Sequence, residues 1–196
     1  MRLISDPADW NGELPAVLVA PASGTAERRA LLRALVAYVL GAAPDVVSIA
    51  HEEGRAPRFL GPEDAAFHLS SASRDGLAAL AVGRAPVGVD IELVEAATEP
   101  PWHVLHPEER AWLTGLPAGE RERGFAHLWA AKEAYLKALG IGLAREPSSF
   151  AVLPEGEAMQ VRDPARPGER ILVATASTTD GGRDFAVALV ERVARP

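Results

Sequence analysis

The chain has 196 residues, 48% of them hydrophobic, with no cysteine and a formal net charge of −7. That length and apolar content exclude a disordered chain and allow one sizeable domain, or two small halves that share a core. Missing cysteine excludes a disulfide frame and a thiolate metal site, the acidic balance argues against general nucleic-acid binding, and no charge-free apolar run approaches the roughly 20 residues of a membrane span. The first residues, MRLISDPADW, lack the apolar core of a signal peptide. The expectation is a cytoplasmic protein whose work involves neither nucleic acid nor membrane.

In chain order, PAVLVAP (15–21) predicts a short strand. Residues 25–41 predict a helix with Thr25 as N-cap, Glu27 in its first turn and Gly41 as C-cap. Leu31, Leu35 and Val39, with Leu32 and Val36, form its apolar stripe. DVVSIAHEE (45–53) alternates like a strand and turns at GRAP. AAFHLSSAS (65–73) reads as a strand running into a polar loop. GLAALAV (76–82) and PVGVDIELV (86–94) read as paired strands, apolar enough to be buried on both faces. A Pro-containing link (97–104) leads to a short helix at HPEERAWLTGL (106–116) and a long one over 118–139, stopped by Gly140. Strands follow at 148–154, 157–162, 170–177 and 183–191. The order predicts an α+β fold of two similar halves, 1–95 and 96–196, although no sequence repeat relates them.

Two stretches carry chemistry. In the strand VGVDIELVE, Asp90 and Glu92 are two apart, so their carboxylates share one face while Val89, Ile91 and Leu93 share the other. Like charges on one face repel, and a divalent cation with a preference for oxygen ligands removes that cost. Taken alone, the pair also fits a strand end emerging into solvent. In the long helix, Trp129, Glu133 and Lys137 recur every four residues and form one stripe. An i,i+4 ion pair beside a core tryptophan accounts for that spacing. So does a third carboxylate completing a metal site with Asp90 and Glu92, with Lys137 and Lys132 neutralising phosphate oxygens. His51, His103, His106 and His127 are scattered and read as surface or loop residues.

Together, GVDIE (88–92) and FAHLWAAKEAYLK (125–137) closely resemble the signature of the 4′-phosphopantetheinyl transferase superfamily: G-[IV]-D-[IV]-E, then F-x-x-x-W-x-x-K-E-[AS]-x-x-K. Gly88, Asp90, Glu92, Phe125, Trp129, Lys132, Glu133 and Lys137 meet every fixed position. Length and layout resemble the Sfp-like class, in which one chain carries two pseudo-symmetric halves and works as a monomer. The resemblance implies a fold in which each half is a main helix packed on a small, mostly antiparallel sheet, with the site in the cleft between halves. It implies transfer of the phosphopantetheine arm of coenzyme A to a serine of an apo acyl or peptidyl carrier protein of polyketide, peptide or fatty-acid synthesis. Adenosine 3′,5′-bisphosphate is released. Asp90, Glu92 and Glu133 would hold Mg²⁺, with Mn²⁺ the alternative ion. Glu133 and Lys137 would be the catalytic pair. Arg55, Lys132 and Lys137 would contact coenzyme A, with Arg28, Arg29 and Arg33 as equal candidates near its 3′-phosphate.

The sequence departs from the family where a Ser-His pair commonly contacts coenzyme A phosphate. Here the stretch is FHLSSASRDG (67–76), so Ser70 matches and either Ser71 or Ser73 stands at the histidine place, with Arg74 able to restore charge. The spacing to Asp90 is about two residues longer than usual for the family. A homologue that binds carrier protein or coenzyme A without transfer is the alternative that this altered loop raises.

Overall fold

The computed structural model describes residues 1–52, 54–61, 65–95, 100–141, 144–156 and 158–193. The link residues 97–99 and part of the loop after Gly140 lie outside these. Besides short 3-10 turns, the described residues form ten strands and three α-helices: β1 Ala16–Pro21, α1 Thr25–Leu40, β2 Ser48–Ala50, β3 Arg58–Gly61, β4 His68–Arg74, β5 Leu77–Gly83, β6 Val87–Leu93, α2 Pro107–Gly115, α3 Ala118–Leu139, β7 Ala151–Glu155, β8 Ala158–Arg162, β9 Arg170–Asp180 and β10 Arg183–Val193. No described helix is long and apolar enough to cross a membrane.

The strands form two antiparallel five-stranded sheets, ordered β1-β5-β4-β3-β2 and β6-β10-β9-β8-β7. Both follow one plan. A first strand leads to a main helix, four more strands follow, and the last pairs back onto the first. α1 occupies the helix place in the first unit and α3 in the second. The two pseudo-symmetric halves expected of the α+β fold are therefore present. The topology moves their joint, however. β6, which carries Asp90 and Glu92, opens the second sheet, so the halves meet between β5 and β6 and not at residue 95. For the same reason β5 and β6 are not a paired hairpin: β5 pairs with β1 and β4, and β6 with β10.

Strand alternation explains the layering. In β1 and β5, Ala16, Leu18, Ala20, Leu80 and Val82 pack against Leu32, Leu35 and Val36 of α1. The opposite residues, Val17, Val19, Leu77, Ala79 and Ala81, pack against Val87, Val89, Ile91, Phe185, Val187 and Leu189 of the second sheet. Ala188 and Val190 turn outward to α3. The result is four layers, helix–sheet–sheet–helix. β5 is buried along its whole length because it has a helix on one face and a sheet on the other.

Three local details differ from the sequence reading. Gly24, not Thr25, is the N-cap of α1, and Thr25 is its first helical residue. The polar stretch Ser71–Arg74 is strand, not loop, since Ser71, Ser73 and Arg74 pair with Leu80, Ala78 and Leu77 of β5. The hairpin closes at Asp75-Gly76, both with positive φ (48° and 82°), the backbone a tight two-residue turn requires. His106 and His127, read as surface or loop residues, are half-buried and have structural partners. His106 caps α2 in a capping box with Glu109, and His127 sits on α3, 3.1 Å from the Ser177 hydroxyl.

Candidate active site

Within the second half, the packing of β6 on α3 is built around one glycine. A Cβ at Gly88 would lie 1.9 Å from the Ala134 carbonyl oxygen and 2.6 Å from the Ala138 nitrogen. Only glycine lets β6 approach α3 this closely, and the buried alanines 130, 131, 134 and 138 are the matching small face of the helix. This contact aligns the acidic face of β6 with the Glu133–Lys137 face of α3.

β6 is an edge strand, so some of its backbone polar groups point away from β10 and need partners. Ser70, buried on β4, supplies one: its hydroxyl accepts from Val89 N at 3.0 Å. Lys137 supplies another, its ammonium donating to Val89 O at 3.2 Å and to Asp90 Oδ1 at 2.6 Å. Lys137 thus pairs from α3 to β6 with Asp90 rather than along the helix with Glu133.

Asp90 is only 6% exposed, and its Oδ2 is buried with no hydrogen-bond donor. Burial pushes the Asp90 carboxyl up from its ordinary value, against the pull of Lys137. Glu92 is pushed up to about 7 by burial, then by the neighbouring Asp90 charge. Burial and Asp90 raise Glu133 in the same direction. Burial raises all three carboxyls, and the Asp90 charge raises Glu92 and Glu133 further, so the site is short of positive charge. The side chains as they stand do not gather three His, Cys, Asp or Glu groups closely enough to hold a metal ion, among the described residues. The Lys137 ammonium stands on Asp90 instead.

Glu133 and Lys137 open onto a cleft of about 670 Å³, whose opposite wall is Gly54, Arg55, Ala56, Pro57, Ser70 and Ser71. Across Arg55 and Ser71 the cleft continues into a second hollow of about 450 Å³ lined by Thr25, Arg28, Arg29 and His51. Arg55 is exposed at this junction, loosely paired with Glu52 at 3.4 Å. Ser71 and Ser73 share the α1 side of β4, but Ser71 lines both hollows and Ser73, at the exposed strand end, lines neither. Arg74 points to the other side of β4 and meets Glu92 and Glu95 at 3.7 and 3.2 Å, away from Ser71.

Trp129 stacks on Phe125 with ring centroids 6.2 Å apart. The pair closes a small hollow that also holds Glu92 and Arg74.

Lys132, expected among the coenzyme A contacts, is not in the cleft. It is fully buried, its ammonium 2.5 Å from Glu109 Oε1 and 2.9 Å from the Phe150 carbonyl oxygen. Glu109 also accepts from Val152 N at 2.7 Å and His106 N at 2.8 Å. The pair locks α2, α3 and β7 together. Lys132 and Glu133 face different neighbours because adjacent helical residues point about 100° apart.

Sequence reasoning missed Thr25 and His51. His51 is held below the usual imidazole range by burial, then by Arg29 and Arg33, so it is neutral at physiological pH. No local signal marks it, since only the fold brings residue 51 beside the first turn of α1. A further hollow of about 520 Å³, between the N-terminal segment and β8–β10, shares no residue with the cleft.

Lys137, with Glu133, at one end and Arg55, Arg28 and Arg29 at the other give the cleft cationic groups along its length, suited to a polyanion. A family model described as the 4′-phosphopantetheinyl transferase superfamily matches residues 86–190, which run from the start of β6 into β10. The chain belongs to this superfamily. It is 30% identical over 145 residues to the 4′-phosphopantetheinyl transferase HetI of Nostoc sp., covering 70% of this chain and 60% of that one. It is 29% identical over 123 residues to a 4′-phosphopantetheinyl transferase of Bacillus subtilis, covering 62% and 54%. Against a holo-[acyl-carrier-protein] synthase of Geobacillus kaustophilus it is 31% identical over 113 residues, covering 53% and 84%. The chain thus spans a little over half the length of the first two relatives.

Proposed function

We propose that this chain transfers the 4′-phosphopantetheine arm of coenzyme A to a serine hydroxyl of an apo acyl or peptidyl carrier protein. The observation that carries the reading is the continuity of the cleft. Glu133 and Lys137 of α3 open, past Arg55 and Ser71, into the hollow lined by Arg28, Arg29 and His51, with Asp90 held behind Lys137. A ligand with a pyrophosphate at one end and a phosphorylated nucleoside at the other matches that order.

In the reaction, the carrier serine oxygen forms a bond to the phosphorus that bears the pantetheine arm. The bond from that phosphorus to the bridging oxygen breaks, and adenosine 3′,5′-bisphosphate leaves. Glu133, raised in pKa and facing the cleft, takes the serine proton directly or through water. Lys137 donates to the phosphate oxygens on which charge accumulates. Arg55, Ser71 and Arg29 hold the nucleotide end, and neutral His51 offers a further hydrogen bond there. Asp90, Glu92 and Glu133 are the residues that would hold a hard divalent cation such as Mg²⁺: they offer only oxygen donors and Asp90 Oδ2 has no hydrogen-bond partner, but the three side chains must draw closer together to share the ion. When bound, that ion neutralises pyrophosphate charge.

Incubating the protein with coenzyme A, Mg²⁺ and an apo carrier, then weighing the intact carrier, tests the reading. A gain equal to one phosphopantetheine arm is expected. Coenzyme A binding with no gain on acyl and peptidyl carriers alike would overturn it in favour of a binding role without transfer.

A further inference from the structure

The proposed mechanism leaves Arg74 without a part. It ends β4, and alternation puts its side chain with Ser70 and Ala72 on the face towards β6. The guanidinium crosses from the first sheet to the second, Nε 3.7 Å from Glu92 Oε2 and Nη2 3.2 Å from Glu95 Oε1. At 42% exposed, the side chain has room to move. Its backbone does not. The Asp75-Gly76 turn beside it is clamped by Arg183, which reaches Asp75 Oδ2 at 3.3 Å and Asp75 O at 3.2 Å.

Two cations therefore stand on the acidic cluster, Lys137 on Asp90 and Arg74 on Glu92. They are not equivalent. Lys137 is held by the Val89 carbonyl oxygen as well, and its side chain is 28% exposed. Arg74 has a second carboxylate, Glu95, just outside the cluster and closer than Glu92. It can release Glu92 without losing its ion pair.

We infer that Arg74 is a positioning residue: a resident counter-ion that a divalent cation displaces from Glu92 onto Glu95, setting how tightly this chain binds the ion. The inference rests on the proposed reading of Asp90, Glu92 and Glu133 as ligands. The exchange makes and breaks no covalent bond. A competitor that occupies a ligand in the ion-free state lowers the apparent affinity by the fraction of molecules so blocked. It also spares the empty cluster the repulsion among its carboxylates.

Calorimetric titration with Mn²⁺ at fixed ionic strength, without coenzyme A, tests this on the wild type, Arg74→Ala and Arg162→Ala. Arg162 is an exposed cation on β8 paired with Glu108 at 3.1 Å, and it controls for a general change in field. Arg74→Ala is expected to bind Mn²⁺ about three- to fivefold more tightly, the scale of one partly exposed ion pair. Arg162→Ala should stay within about 1.5-fold of wild type, as expected for a screened charge. Melting gives a second readout: Mn²⁺ should raise the Tm of Arg74→Ala more than that of the wild type. Wild-type affinity in Arg74→Ala, or equal tightening in Arg162→Ala, would overturn the inference and leave the carboxylate reading standing. A wild type that binds no Mn²⁺ would overturn both.

Discussion

The Lys137 ammonium lies 2.6 Å from Asp90 Oδ1 and 3.2 Å from the carbonyl oxygen of Val89, so α3 grips β6 by side chain and backbone at once. The other oxygen of the same carboxylate is buried without a donor. One half of Asp90 is satisfied by protein and the other half is not, which is how a carboxylate looks when part of its coordination comes from a ligand.

Transfer should depend on this cluster. Glu133→Gln and Asp90→Asn keep shape and remove charge, and each is expected to slow carrier modification by about 10²–10³-fold, the usual scale for one charge-stabilising group. Chelation of divalent ions should abolish modification, and added Mg²⁺ or Mn²⁺ should restore it. Intact-mass time courses measure both.

Gly88→Ala should damage stability and activity together. The added methyl would fall on the backbone of Ala134 and Ala138, which cannot swing aside like a flexible side chain. We expect a loss of about 3 kcal/mol or more in urea unfolding, as for severe overpacking. The folded fraction should also transfer poorly, because α3 carries Glu133 and Lys137.

Lys132→Met separates a structural lysine from a phosphate contact. The change strands the buried Glu109 carboxylate, and breaking one partner of such a pair costs about 3–5 kcal/mol. Coenzyme A affinity of the folded protein should stay within about twofold of wild type, since Lys132 does not reach the cleft. A large loss of affinity with stability unchanged would contradict the buried placement.

The nucleotide end can be tested without a carrier. Arg29→Ala should weaken binding of coenzyme A by about tenfold, the scale of one charge-assisted hydrogen bond. Binding of 3′-dephospho-coenzyme A should change less. Equal losses for the two ligands would move the 3′-phosphate away from Arg29.

Acid stability should report on Asp163. Burial pulls its carboxyl up, but the Arg145 fork at 2.5 and 2.6 Å, with the Tyr135 hydroxyl at 2.6 Å, outweighs it and holds the pKa at about 2, below the ordinary 3.8. A depressed folded-state pKa stabilises above the ordinary value and is lost as pH falls through the folded one. About 2 kcal/mol should therefore disappear between about pH 4 and pH 2. Urea midpoints across that window should fall more steeply for the wild type than for Asp163→Asn.

The sequence by itself determined the pieces that depend on local spacing. Period-2 alternation put Asp90 and Glu92 on one face of a strand, and period-3.6 repetition put Trp129, Glu133 and Lys137 on one face of a helix. Gly41 and Gly140, both left-handed, end the two main helices where they were expected. The family signature was legible because it consists of such local patterns.

What needed the tertiary structure depends on partners distant in the chain. Lys132 and Glu133 are neighbours in sequence. Only the arrival of Glu109 and Phe150 on one side of α3, and of β6 on the other, sends one lysine into the core and leaves its neighbour at the cleft. Arg74 could serve a phosphate or a carboxylate until β4 paired through to residue 74 and set its side chain opposite Glu92. The common plan of the two halves is likewise a property of hydrogen-bonded strand order, which no residue repeat records. Local periodicity decides which face a side chain takes. Packing of elements far apart in the chain decides what that face meets, and burial by those partners sets the charge it can carry.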